Sequence, residues 1–159
     1  MRFKSHVAMV VCLLAWCTMS VVFVGDGRAG TAAIDWNDKR IQWLGYKEGI
    51  SKSRKTRKPA IVVFYADWCP ACKKYGNAFK DKRVAAAASD FVMIRVNIDR
   101  DEKLSAAYGF DGEYVPRTFA VSPGGKVMHH LFPSKKYRYY IGSNPDTLLS
   151  LMQRALSGK

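Results

Sequence analysis

KPAIVVFYADWCPACKK, residues 58–74, runs from a proline through a block of apolar residues to two cysteines in a Cys-x-x-Cys spacing. Ala60 to Ala66 is short, β-branched and apolar on both sides of a pleat. That is the pattern of a central strand covered on both faces. Residues 70 to 88 are compatible with a helix, and Pro70 falls in its first turn, where a missing N–H does no harm. Cys69 therefore stands at a helix N-terminus, where free N–H groups and the helix dipole favour an anion. The effect reaches about 2 kcal/mol in good geometry, enough to bring a thiol from about 8.5 toward about 7. Cys72 lies one turn further on, close enough to bond to Cys69 and less exposed. The pair reads as a nucleophile, Cys69, and a resolving thiol, Cys72.

Working outward, Ile34-Asp35-Trp36 predicts a short first strand, and Asn37 or Asp38 caps a helix through about Ser51. The basic run Lys52-Ser53-Arg54-Lys55-Thr56-Arg57-Lys58 reads as a solvated connecting loop, or more sharply as a lure for acidic proteins or anionic lipid. Phe91 to Ile98 is a second buried-type strand, and Asp101 to Tyr108 a short helix ended by Gly109. Arg117 to Val121 and Lys126 to Phe132 form a hairpin around Ser122-Pro123-Gly124-Gly125. Tyr137 to Ile141 is a further short strand or an extended loop, and Tyr137, Tyr139 and Tyr140 pack against the last helix or form a contact surface. Pro145 to Leu156 closes the chain as a helix. The order β-α-β-α-β-α-β-β-α implies an α/β fold with a mixed sheet and helices on both faces.

Residues 1–29 read as a signal peptide or N-terminal membrane anchor. Arg2 and Lys4 precede the apolar stretch Val7 to Gly25, and Gly27-Arg28-Ala29 or Thr31-Ala32-Ala33 offers small residues for cleavage. Cys12 and Cys17 follow Val11 and Trp16 rather than small residues, which speaks against lipid attachment. Removing residues 1–29 lowers the formal charge from +13 to +11 and leaves Cys69 and Cys72 as the only cysteines. One close pair is not a multi-disulfide scaffold. Export and the lack of aromatics within the basic run argue against nucleic acid.

Other chemistries are open to the pair. A structural zinc site needs four ligands, and His129 and His130 on a strand would point to opposite faces, so at most one could join the cysteines. A disulfide closing so short a loop does little for stability. Delivery of copper or another soft metal through two thiolates is a further possibility. Glu113-Tyr114-Val115-Pro116 precedes the hairpin, where a cis proline would turn the Val115 backbone toward Cys69 to pair with an extended substrate; an ordinary trans proline at a strand start is the alternative.

With "IDW", "KPAIVVFYADWCPACK", "FVMIRVNID", "DGEYVPRTFAVSPGGKV" and "YRYY" in place, the chain resembles the thioredoxin superfamily over about residues 34 to 157. Within it, the sequence is similar to the small single-domain thioredoxin-like proteins of the secretory pathway, including the anterior-gradient type. The resemblance implies a thioredoxin fold over residues 30–159, a central mixed β-sheet flanked by helices on both faces. It implies Cys69 as nucleophile, Cys72 as resolving thiol and Pro116 as the cis proline. Trp68, Pro70 and Ala71 flank the thiol, and Val115 contacts substrate. The implied activity is thiol–disulfide exchange with protein thiols and disulfides, without cofactor or metal. A membrane-bound or soluble redox partner recharges the pair, and the membrane is met only through an uncleaved N-terminal segment. A partner-binding or chaperone role is the alternative that some relatives suggest.

Three departures stand out. The buried Asp or Glu that such proteins carry six residues before the first cysteine is Val63 here, leaving Asp67, Lys73 or water to serve. Pro70-Ala71 matches neither the Gly-Pro of reducing thioredoxins nor the Gly-His of the isomerases, so redox direction is not written in it. Leu156-Ser157-Gly158-Lys159 is not a Lys-Asp-Glu-Leu-like retention signal, which favours a periplasm over the lumen of the secretory pathway.

Overall fold

The computed structural model describes residues 33–132 and 137–158. The expected signal peptide or anchor, residues 1–29, lies outside the described residues. Among the described residues four strands form one sheet: β1 (Trp43–Leu44), β2 (Ala60–Tyr65), β3 (Val92–Asn97) and β4 (Arg117–Val121), in the order β1-β3-β2-β4. β1 and β2 run parallel to β3, and β4 runs antiparallel to β2. The two central strands are buried on both faces, β2 through an uninterrupted apolar run and β3 through an apolar run interrupted by the half-buried Arg95. Among the described residues five α-helices surround the sheet: α1 (Tyr46–Thr56), α2 (Pro70–Gly76), α3 (Lys82–Ala87), α4 (Glu102–Ala107) and α5 (Pro145–Ser157).

The sheet register sorts the side chains between two layers. Val62 is level with Ile94 and Phe119, and α1 and α4 meet on that face, where the Tyr46 and Tyr108 hydroxyls lie 2.8 Å apart and Tyr108 packs on Phe64. Gly49 of α1 touches the Ile94 side chain so closely that a Cβ would overlap it. Gly49→Ala should therefore destabilise by about 1–3 kcal/mol through overpacking, read as a lower denaturant midpoint at unchanged slope. Val63 is level with Thr118 on the other face. There Tyr75 of α2 shares a buried 2.8 Å hydrogen bond with Thr118, and burial pushes the Tyr75 phenol well above its ordinary range.

Several expected elements take other forms. Ile34–Trp36 is not a strand. Asn37 adopts a left-handed backbone (φ 61°), and its side chain donates to the Phe79 carbonyl at 2.8 Å instead of capping a helix. Trp36 instead sits edge-on among Trp43, Tyr65, Tyr75 and Phe79 at 5.2–6.2 Å. The first helix consequently starts at Tyr46, and Lys52–Thr56 of the basic run forms its last turns rather than a loop. Ser53, inside that run, is buried and donates to the Lys58 carbonyl at 2.6 Å.

The expected helix over residues 70–88 is broken into α2, a 3-10 turn (Asn77–Lys80) and α3, because the Asp81 carboxylate accepts from the Arg83 amide at 2.8 Å and starts a new helix. The hairpin partner of β4 shrinks to one bridge, Val121 with Val127, and His129–Leu131 is a 3-10 turn, not a strand. Tyr139 takes over further along: its carbonyl accepts from the Thr118 amide at 2.8 Å, and its hydroxyl lies 2.6 Å from His129 Nδ1. Residues 137–141 thus form a turn beside β4, closed by the Tyr140 amide donating to the Tyr137 carbonyl at 2.9 Å, rather than a strand or extended loop, with Tyr139 buried and Tyr137 and Tyr140 about half exposed.

Candidate active site

β2 ends at Tyr65, and the chain turns through Ala66-Asp67-Trp68 into α2, so Cys69 comes to the carboxyl end of a central strand. Cys69 holds the N-cap position with extended backbone, and Pro70 follows at the first helical position. Cys69 and Cys72 are disulfide-linked with Cα atoms 5.2 Å apart. The Cys72 amide donates to Cys69 Sγ at 3.1 Å. A sulfur in that position carries negative charge more readily once the disulfide opens, because the donor favours the thiolate over the thiol. Cys72 is fully buried and Cys69 is 3% exposed, so of the two only Cys69 reaches the surface at all.

The Val115–Pro116 peptide bond is cis. The Val115 carbonyl oxygen lies 3.7 Å from Cys69 Sγ. Trp68 is 57% exposed, and its indole N–H donates to the Asp99 carboxylate at 3.0 Å, which fixes the ring beside the disulfide. Pro70 is exposed and Ala71 partly so. The structure thus brings Trp68, Cys69, Pro70, Ala71, Cys72, Val115 and Pro116 into one patch. The position six residues before Cys69 is a fully buried Val63. Level with it stand Arg95 on β3 and, on β4, Thr118, whose hydroxyl is paired with Tyr75. Asp67 is partly exposed, accepts from Asn97 at 2.9 Å and pairs with Arg100 at 3.6 Å. Lys73 is exposed on α2.

Sequence reasoning missed Arg117. It follows the cis proline and is 0% exposed. Its Nη1 donates to the carbonyls of Tyr108 (3.2 Å) and Gly112 (3.0 Å), and its Nη2 donates to the Ser105 carbonyl and hydroxyl (3.3 and 2.5 Å). The guanidinium also lies over the Phe64 ring at 5.1 Å. Burial lowers its pKa from the ordinary arginine value, while Glu113 draws it back up. One side chain thereby ties α4 and the turn after it to the start of β4. The only sequence signal was an arginine next to an X-Pro step, and arginines are ordinarily placed on the surface.

Residues 42–123 match the family described as thioredoxin-like. The chain belongs to that family. It is 33% identical over 129 residues to Anterior gradient protein 1 of Xenopus laevis, a match covering 77% of this chain and 67% of that one. It is 29% identical over 129 residues to the human Anterior gradient protein 2 homolog, covering 79% and 72%. Among solved structures, a thioredoxin from Thermus thermophilus superposes with a TM-score of 0.59 at 21% identity, covering 75% of this chain and 90% of that chain. A poplar thioredoxin h gives 0.56 at 15% identity, covering 72% and 96%. Those two likenesses speak for the fold. The thioredoxin-like chain therefore has the family's α/β architecture and a close cysteine pair where β2 meets α2. Among the described residues, no cluster of three or more His, Cys, Asp or Glu side chains is placed to hold a metal ion.

Proposed function

We propose that the chain is an exported thiol–disulfide oxidoreductase acting on protein substrates, working as a reductase or isomerase in the periplasm. The observation that carries this is the position of Cys69 Sγ, next to the Cys72 amide and 3.7 Å from the carbonyl of Val115, before the cis Pro116. In the reduced protein, the Cys69 thiolate attacks one sulfur of a substrate disulfide. A Cys69–substrate bond forms, the substrate S–S bond breaks, and the other substrate sulfur leaves as a thiolate that takes up a proton. Cys72 then loses its proton and attacks Cys69 Sγ, which forms the Cys69–Cys72 disulfide and releases the second substrate thiol. The substrate gains two electrons and two protons; the protein pair supplies both electrons and the Cys72 proton, and solvent returns the proton that Cys69 gave up on ionising.

Trp68 and Val115 line the approach, and Val115 offers main-chain groups to an extended substrate. Among the described residues no second cysteine pair is present to supply electrons to the oxidised Cys69–Cys72 disulfide, which fits recharging by a separate dithiol donor, membrane-bound or soluble. The test is the reduction potential of the full chain in glutathione buffers, read by alkylation mass shift. The expected midpoint lies between about −270 mV, as in thioredoxin, and about −180 mV, as in protein disulfide isomerase. A value of about −120 mV would make it an oxidant. If no disulfide forms in that range, the oxidoreductase assignment fails.

A further inference from the structure

The basic run is unused by the disulfide chemistry, and the fold gives it a definite address. Lys58 precedes β2, while Cys69 follows the other end of that strand, so the run lies at the opposite pole of the sheet. β2 is six residues long, so the two poles are separated by about 20 Å. A groove of about 330 Å³ opens there. Its floor includes the buried side chains of Ile41, Leu44 and Phe91, and its rim carries exposed Arg40, Lys52 and Lys58. Among the described residues no carboxylate lines it.

The two lysine amines are held over the groove by neutral acceptors. Lys52 Nζ donates to Gln42 Oε1 at 2.9 Å and Lys58 Nζ to the Ser89 carbonyl at 2.7 Å. Among the described residues none of the three cations enters an ion pair. β1 borders the groove through Leu44, and among the described residues it pairs on one side only, with β3.

We propose that this groove docks an extended acidic segment of a partner polypeptide, with glutamates or aspartates on the rim cations and apolar side chains on the floor. Alternating side chains of an extended strand meet both requirements at once, and the free edge of β1 accepts main-chain pairing. A membrane surface fits less well. The large exposed apolar side chains among the described residues are Trp68, Phe110, Tyr137, Tyr140 and Leu156, and none of them borders the groove. The same lack of exposed rings removes the stacking platform that single-stranded nucleic acid uses. A partner held at this pole leaves Cys69 free, so docking and thiol exchange can proceed together.

The probe is a fluorescein-labelled heptapeptide alternating glutamate with phenylalanine or valine, titrated into the full chain and followed by anisotropy at low salt. Saturable binding is expected, lost when glutamine replaces glutamate in the peptide. The double variant Lys52→Gln/Lys58→Gln should weaken it by about tenfold, as two unpaired rim charges imply. Lys103→Gln/Lys126→Gln, with the same charge change elsewhere, should leave it unaltered. Arg40→Gln, outside α1, should weaken it in the same direction and guards against a disturbed helix. Equal loss in both double variants would reduce the effect to net charge and overturn the proposal. So would no binding, or binding of the wild type to phosphatidylglycerol vesicles in preference to the peptide.

Discussion

Cys69→Ser is expected to abolish turnover of a peptide disulfide, a loss on the order of a thousandfold or more, as when a covalent nucleophile is removed. A serine hydroxyl is not ionised at neutral pH and does not attack a disulfide sulfur, whatever the neighbouring amide donates. The substitution barely changes volume at a position 3% exposed, so the fold survives it. Loss of the disulfide costs the oxidised protein about 2 kcal/mol at most, because the closed loop is so short. Circular dichroism separates the two effects: spectrum intact, activity gone. Cys72→Ser divides the reaction differently. Cys69 still attacks, nothing resolves the product, and a mixed disulfide with the peptide accumulates as a mass increase. Full activity in Cys69→Ser, or no adduct with Cys72→Ser, would remove these cysteines from the roles proposed for them.

Arg117→Met should be the most damaging substitution away from the cysteines. Methionine fills much of the space but donates nothing, leaving the Tyr108 and Gly112 carbonyls and the Ser105 hydroxyl without the guanidinium, while the Ser105 carbonyl keeps the Tyr108 amide. Each orphaned acceptor costs about 1–3 kcal/mol, and relief from burying a cation offsets part of the total. A net loss of about 3 kcal/mol follows, lowering the melting temperature by about 6–12 °C for a domain of this size. Activity should split as well. The loop that Arg117 ties down ends in Val115, so peptide substrates that use that main chain should lose kcat/KM, while a small dithiol, which needs no such contact, should not. A stability loss under about 1 kcal/mol would show that the arginine is not the tie it resembles.

The parts legible in the sequence were those where one physical requirement dominated. Ala60–Tyr65 is apolar at every position because both of its faces are buried, and only a central strand asks for that. Cys69-Pro70-Ala71-Cys72 sits where the strand pattern stops and a proline can open a helix, so its place in space followed from its place in the chain. β1 escaped notice because two residues carry no period. Lys52–Thr56 looked like a loop because charge was weighed above helix propensity, although lysine and arginine are good helix formers. Asn37 offered a capping residue, but its side chain spans to the Phe79 carbonyl, 42 residues away, a partner no local rule supplies. Arg117 is the same kind of failure: its acceptors are carbonyls, which every residue has, so no complementary acidic residue marked its burial.

The two-part cover over β4 bears on how copies of this chain meet. Thr118 is occupied by Tyr139, and Ala120 by Met128, whose amide donates to it at 2.9 Å. That side of the sheet is closed to intermolecular strand addition, the route by which open sheets stack into fibrils. Among the described residues the opposite border is only two residues long, with Arg40, Lys52 and Lys58 beside it. Two such borders brought together would set like charges against each other, so the frontier that can recruit an acidic stranger is the one that repels its own kind.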